Sequence, residues 1–168
     1  MQYAYDMGHR EIGYIRCRER IYQFSEDIRL IKIVMKKFGL KIKESYIWDV
    51  NYSEKTIREE VGKYLSENNE NPTIFIAEND FIACHAIHGM QDNGYRVPED
   101  ISVIGFDDRP VCQMIVPSVT TVNVPKNAFG SAAVVAFKWK NDRIQEKYSM
   151  KTEIGTKLII RKSVSQLK

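Results

Sequence analysis

Apolar positions along this chain follow two rhythms, and their order predicts the architecture. The runs Thr73-Ile74-Phe75-Ile76-Ala77 and Ile101-Ser102-Val103-Ile104-Gly105-Phe106 are short and nearly continuous, as strands buried on both faces are. Between them Phe81, Ile82, Ala83, Ala86, Ile87 and Met90 recur at helical spacing, and Asn93-Gly94 supplies a helix stop. Val97-Pro98-Glu99-Asp100 makes a rigid approach to the second run. The stretch from Pro72 to Asp108 is therefore a βαβ unit, whose two strands should be parallel. Ligands of open parallel sheets bind at the carboxyl ends of strands. Asn79 and Asp107 stand at two such neighbouring ends and are the first candidates for a binding site.

The same patterning extends along the chain. Met1 to Met7 reads as the tail of a helix, ended at Gly8-His9-Arg10, and Glu11 to Cys17 as a first strand. Arg16 to Arg20, the most basic cluster, reads as a solvated loop. Ser25-Glu26-Asp27 opens a helix, its acids favoured by the helix dipole, with Ile28, Ile31, Met35 and Phe38 as apolar stripe and Gly39 as end. Tyr46 to Val50 is a second strand, Asn51-Tyr52-Ser53 a loop, and Ser53 or Glu54 begins a helix carrying Ile57, Val61, Tyr64 and Leu65. Glu67 to Pro72 is a polar turn. Asp80 is expected to cap the central helix. Ser118 to Val124 reads as extended. Lys126 to Arg143 reads as a helix capped by Asn127 and apolar almost all round, hence buried or at an interface. Met150 to Thr156 and Lys157 to Ile160 read as closing strands.

Composition changes this picture little. At 168 residues and 43% hydrophobic content, the chain can bury a core. Its 25 basic against 22 acidic residues, net +3, leave no basic footprint for nucleic acid. No apolar run nears the roughly 18 residues of a membrane span, and no secretory signal opens the chain. Cys17, Cys84 and Cys112 are odd in number and lack ligand spacing, so reduced thiols and a cytoplasmic setting are expected. His85 and His88 stand three apart without a third metal ligand, and His9 reads as structural at a helix–strand corner. Asp107 and Asp108 are adjacent on an extended chain, so they point apart and form neither a metal pair nor a glycosidase dyad. No nucleophile elbow or phosphate loop is present. No metal or cofactor is expected, and an enzymatic role is not.

The wording of the chain goes further than its periodicity. Gly94-Tyr95-Arg96-Val97-Pro98-Glu99-Asp100-Ile101-Ser102-Val103-Ile104-Gly105-Phe106-Asp107-Asp108 resembles the signature of the LacI/GalR (lac repressor/galactose repressor) family of bacterial transcription regulators. Gly8 to Ile15, Asn79-Asp80, Pro117 to Val122, Pro125, Gly130 and Leu158 to Ser163 extend the likeness in the family's order. The resemblance implies an α/β fold: a periplasmic-binding-protein-like (type I), three-layer α/β/α lobe with a mainly parallel sheet. It implies that residues 1–122 form the C-terminal lobe of an effector-binding core. Residues 123–146 would then be a crossing segment and helix packed on an N-terminal lobe missing from this chain, and 147–168 return strands and tail. The helix-turn-helix is missing too, so DNA would be bound only through that absent domain.

The resemblance also implies site roles. Arg29 would clamp an effector's hydroxyls or carboxylate, although Lys32-Ile33 stands where the family has glycine and an aromatic. Tyr52 would stack on the effector's ring, while Trp48 reads as core. Asn79 would hydrogen-bond its hydroxyls, and Asp107 would accept from its hydroxyls or base nitrogens. The implied partners are a sugar, sugar phosphate or purine-like effector and a second copy of the chain, with no membrane. The alternative function is a periplasmic sugar-binding protein serving a transporter.

Overall fold

The computed structural model describes residues 1–19, 22–67, 70–142 and 149–167. Helix α1 (Gln2–Asp6) leads into β1 (Ile12–Cys17), followed by α2 (Tyr22–Lys37), β2 (Ile47–Val50), α3 (Glu54–Glu67), β3 (Ile74–Ala77), α4 (Asp80–Asp92) and β4 (Ser102–Asp107). The chain then forms β5 (Thr120–Asn123), α5 (Lys126–Asp142) and β6 (Lys157–Ile159). One sheet carries all six strands in the order β2-β1-β3-β4-β5-β6, parallel throughout except for β6, which runs antiparallel to β5.

Alternation within each buried strand feeds two cores. Phe75 and Val103 face α3 and α4, joining Trp48, Ile57, Val61, Ile82 and Ile87. Their chain neighbours Ile74 and Ile104 face the other way, joining Ile12, Met35 and Ala4 beneath α1 and α2. Helices on both faces of a mainly parallel sheet make the expected three layers. The larger core holds the bulkier side chains, with Trp48 against Phe75 at 4.1 Å between ring centroids.

Several local expectations need correction. Helix α2 begins at Tyr22, ahead of Ser25. Strand β1 runs to Cys17 as expected, so of the basic cluster read as a loop Arg16 and Cys17 belong to the strand, and Arg16 pairs with Asp49 of β2 at 2.7 Å; Arg20 lies outside the described residues. Asn68 and Asn69 of the polar turn, and Arg143 at the end of the last helix, also lie outside them. Asn127 sits inside α5, not before it. Met150 to Thr156 is irregular, and only Lys157–Ile159 pairs as a strand. The apolar helix α5 buries none of its residues: Phe137 is 74% exposed and Val135 61%.

Candidate functional site

The strand order reverses at β1: the chain steps out to β2, then crosses back to β3 on the other side. Such a switch point leaves a crevice at the strands' carboxyl ends. A cleft of about 470 Å³ lies on the α2 face across the ends of β1, β3 and β4. Its placement follows from the register. Tyr14, Ile76 and Phe106 continue the face begun by Ile12, Ile74 and Ile104, and there they form the floor of the cleft. Asp27, Leu30 and Ile31 approach from α2, while Glu78, Asn79 and Asp107 form the rim where β3 and β4 end.

Each polar group is held locally. Asn79 is the N-cap of α4, its side-chain oxygen accepting from Ile82 N at 3.0 Å. That leaves its amide NH₂ as a donor to a ligand. The Tyr14 hydroxyl donates to Asp27 Oδ2 at 3.3 Å, and Cys17 N donates to Glu78 Oε2 at 2.9 Å. Burial raises the Tyr14 hydroxyl's pKa well above its ordinary range, reinforced by the negative charge of Asp27. Burial also pushes the carboxyls of Asp27, Glu78 and Asp107 upward. Asp107 adopts a φ of +106°, a region that L side chains rarely enter. Lys126 Nζ donates to its backbone carbonyl at 2.6 Å.

Asp80 does not cap α4. Its buried carboxylate ties the helix to the sheet and the loop beyond it, accepting from Thr121 Oγ1 at 2.5 Å and from Arg109 N at 2.6 Å. Asp108 turns away from the cleft: Arg161 Nη2 donates to it at 2.6 Å and Asn123 Nδ2 at 2.9 Å. His9 is buried at its corner between Thr73 and the Ser165 carbonyl. The three cysteines are free thiols.

Of the four residues singled out from sequence, the structure brings Asn79 and Asp107 into one cleft. It does not bring in Arg29, which is exposed and bonded to Glu26 at 2.6 Å, since α2 turns Asp27, Leu30 and Ile31 inward instead. Nor does it bring in Tyr52, whose ring packs on Phe81 of α4 at 4.7 Å. Sequence reasoning missed Tyr14, Asp27 and Glu78 as lining residues. Glu78 carried a signal, being next to Asn79 at a strand end. Asp27 was explained by the helix dipole alone, and Tyr14 by the strand. A wider, more open hollow of about 770 Å³ between α3 and α4 holds charges that already pair with one another, among them Arg58 with Asp92 at 2.7 Å. Among the described residues no group of three His, Cys, Asp or Glu side chains is placed to hold a metal ion, and no helix is long and apolar enough to cross a membrane.

An α/β lobe with a cleft at its switch point is an architecture in which ligands generally sit at the strands' carboxyl ends. A sequence model of the periplasmic binding protein-like domain matches residues 1–164, and the chain belongs to that family, with LacI-type transcriptional regulators as its relatives. It is 32% identical over 161 residues to the HTH-type transcriptional regulator DegA of Bacillus subtilis, covering 96% of this chain and 47% of that protein. It is 29% identical over 160 residues to catabolite control protein A of Priestia megaterium, covering 95% of this chain and 46% of that protein. The chain thus spans about half the length of the curated relatives it matches. A LacI-family regulator from Enterococcus faecium, solved with bound ribose, superposes with a TM-score of 0.80 at 20% identity, over 99% of this chain and 60% of that one.

Proposed function

We propose that this chain is the effector-binding and dimerisation region of a LacI-type transcriptional regulator acting in the cytoplasm. The observation that carries the reading is the cleft itself, which spans the switch point and has Asn79 and Asp107 on its rim at the ends of the adjacent strands β3 and β4. The E. faecium regulator, whose fold this chain shares, was solved with ribose, which supports a sugar-like effector. In the whole protein the ligand would close the cleft against a second lobe, with the exposed apolar face of α5 docked on that lobe. A ligand preferring one lobe arrangement shifts the population that grips DNA, by reciprocal linkage. Arg29 and Tyr52 would contribute only if closure turns them inward. The curated relatives are transcriptional regulators, and from that likeness we infer a binding role rather than catalysis.

A thermal-shift screen against sugars, sugar phosphates and purines tests this, with Asp107→Ala as control. A ligand at a hundred times its dissociation constant adds about 2.7 kcal/mol, raising Tm by roughly 5–10 °C for a chain of this size. A shift abolished by the control supports the site, whereas an undiminished shift places the ligand elsewhere.

A further inference from the structure

The lining of the cleft narrows its ligand. Asp27 enters from α2, Glu78 from the turn after β3 and Asp107 from the end of β4, so three carboxylates on three separate elements face one space. Among the described residues that line it there is no lysine or arginine. The cations nearby are engaged otherwise: Arg16 holds Asp49 at 2.7 Å, and Lys126 donates to the Asp107 backbone carbonyl. Asp27 and Glu78 each accept one hydrogen bond through a single oxygen, from Tyr14 and Cys17 N. The Asp107 carboxylate accepts none from the described residues. Burial pushes all three carboxyls upward; the charge of Asp27 adds to the push on Glu78, while Arg16 beside Glu78 and Lys126 and Arg109 beside Asp107 offset it only in part. Meanwhile Ile31, Ile76 and Phe106 offer apolar walls between them.

We infer that this cleft takes a cationic, hydroxyl-bearing ligand, an amino sugar or similar polyol amine, with its ammonium seated among Asp27, Glu78 and Asp107. The inference rests on the effector-cleft reading and specifies it. An ammonium presents three donors and no acceptor, which suits a pocket rim made of acceptors. The apolar walls receive the ring faces, and the Asn79 amide donates to a hydroxyl. A phosphorylated or carboxylated ligand would instead add like charge to a lining that carries three carboxylates and, among the described residues, no lysine or arginine, and specificity by repulsion follows.

The test titrates the isotope-labelled chain with glucosamine, N-acetylglucosamine and glucose 6-phosphate, following the backbone amide signals of Tyr14, Asn79 and Asp107 by NMR, which registers even millimolar binding. Glucosamine should move these signals at an affinity at least about tenfold above its neutral N-acetyl derivative, a difference of about 1.4 kcal/mol, and glucose 6-phosphate should leave them in place. Asp27→Asn and Glu78→Gln, which keep shape and hydrogen bonds, should each erode glucosamine's advantage. Equal response to the N-acetyl sugar, or tighter binding of the phosphate, overturns the cationic preference and leaves the effector cleft standing. Silence at these signals with all three sugars also overturns it, and the thermal screen then decides the effector reading separately. Shifts confined to residues outside the cleft overturn both.

Discussion

Asp107 and Asp108 are neighbours in sequence, yet their carboxylates part at the end of β4. Asp107 lines the cleft with its carboxylate unbonded, while Asp108 is clamped by Arg161 at 2.6 Å. Both residues sit at positive φ, +106° and +52°. Backbone held in such sparsely populated regions costs of order 1–3 kcal/mol, and the surrounding bonds are what hold it.

The two positions should therefore respond differently to mutation. Asp108→Ala leaves Arg161, whose side chain is only 13% exposed, without its carboxylate. The expected loss is about 2 kcal/mol, or a Tm lower by roughly 4–8 °C. Asp107→Gly removes the side chain that resists φ +106°, so stability should hold or rise by up to about 1 kcal/mol while ligand binding falls. Calorimetry beside a ligand titration separates the two effects. An Asp107→Gly protein that melts earlier than wild type would contradict this account.

Gly105 lies on the α4 side of β4, directly over Asp80. A Cβ built there would meet the Asp80 carboxylate and the Ala83 methyl. Because that carboxylate is already bonded to Thr121 and Arg109 N, it cannot give way freely. Gly105→Ala should cost about 1–3 kcal/mol by overpacking, read as a lower denaturant midpoint with unchanged slope. Thr121→Val, which frees one oxygen of Asp80, should also destabilise.

Stability should fall on mild acidification. His9 is fully buried with both ring nitrogens bonded, and burial lowers its pKa, as it does for His85. A histidine depressed in the folded state contributes stability above its unfolded value of about 6.5, because below it the unfolded chain binds protons first. The urea midpoint should therefore decline from about pH 7 to about pH 5.5, and His9→Asn should flatten that slope from a lower starting stability. The raised carboxyls of Asp27, Glu78 and Asp107 act in the opposite sense, losing stability as pH rises from about 4 through their folded values. A midpoint unchanged between neutrality and mild acid would refute the histidine assignment.

The exposed face of α5 should drive self-association. Phe129, Val134, Val135 and Phe137 are 48–74% exposed on a helix that buries nothing. Phe137→Lys should change stability by no more than about 0.5 kcal/mol and reduce the associated fraction in sedimentation velocity. Association unaffected by Phe137→Lys would assign it to another surface.

Much of this fold was legible because its signals are local. Buried parallel strands write continuous apolar runs, and α4 writes its period between them, so β3, α4 and β4 fall within a few residues of expectation. Misreadings arose where a short polar residue could act in two ways. Asn79 and Asp80 are both good caps, and only the packing of α4 over Gly105 and Thr121 assigns the cap to Asn79 and the buried tie to Asp80.

By itself the sequence determined the order of elements, the parallel βαβ unit and the likeness to LacI-type regulators, because periodicity and turn chemistry act between residues close along the chain. Tertiary structure alone decided which acids share the cleft. Whether Asp27, Glu78 and Asp107 converge depends on the pairing of β1 with β3 and β3 with β4, and on how α2 is rotated as it docks on the sheet. That rotation turned Asp27 inward and Arg29 outward to Glu26. It follows the burial of Met35 and Ile31 against residues far away in the chain; their helical stripe, legible in the sequence, already set Arg29 on the opposite side of α2, but not which part of the sheet that stripe would cover.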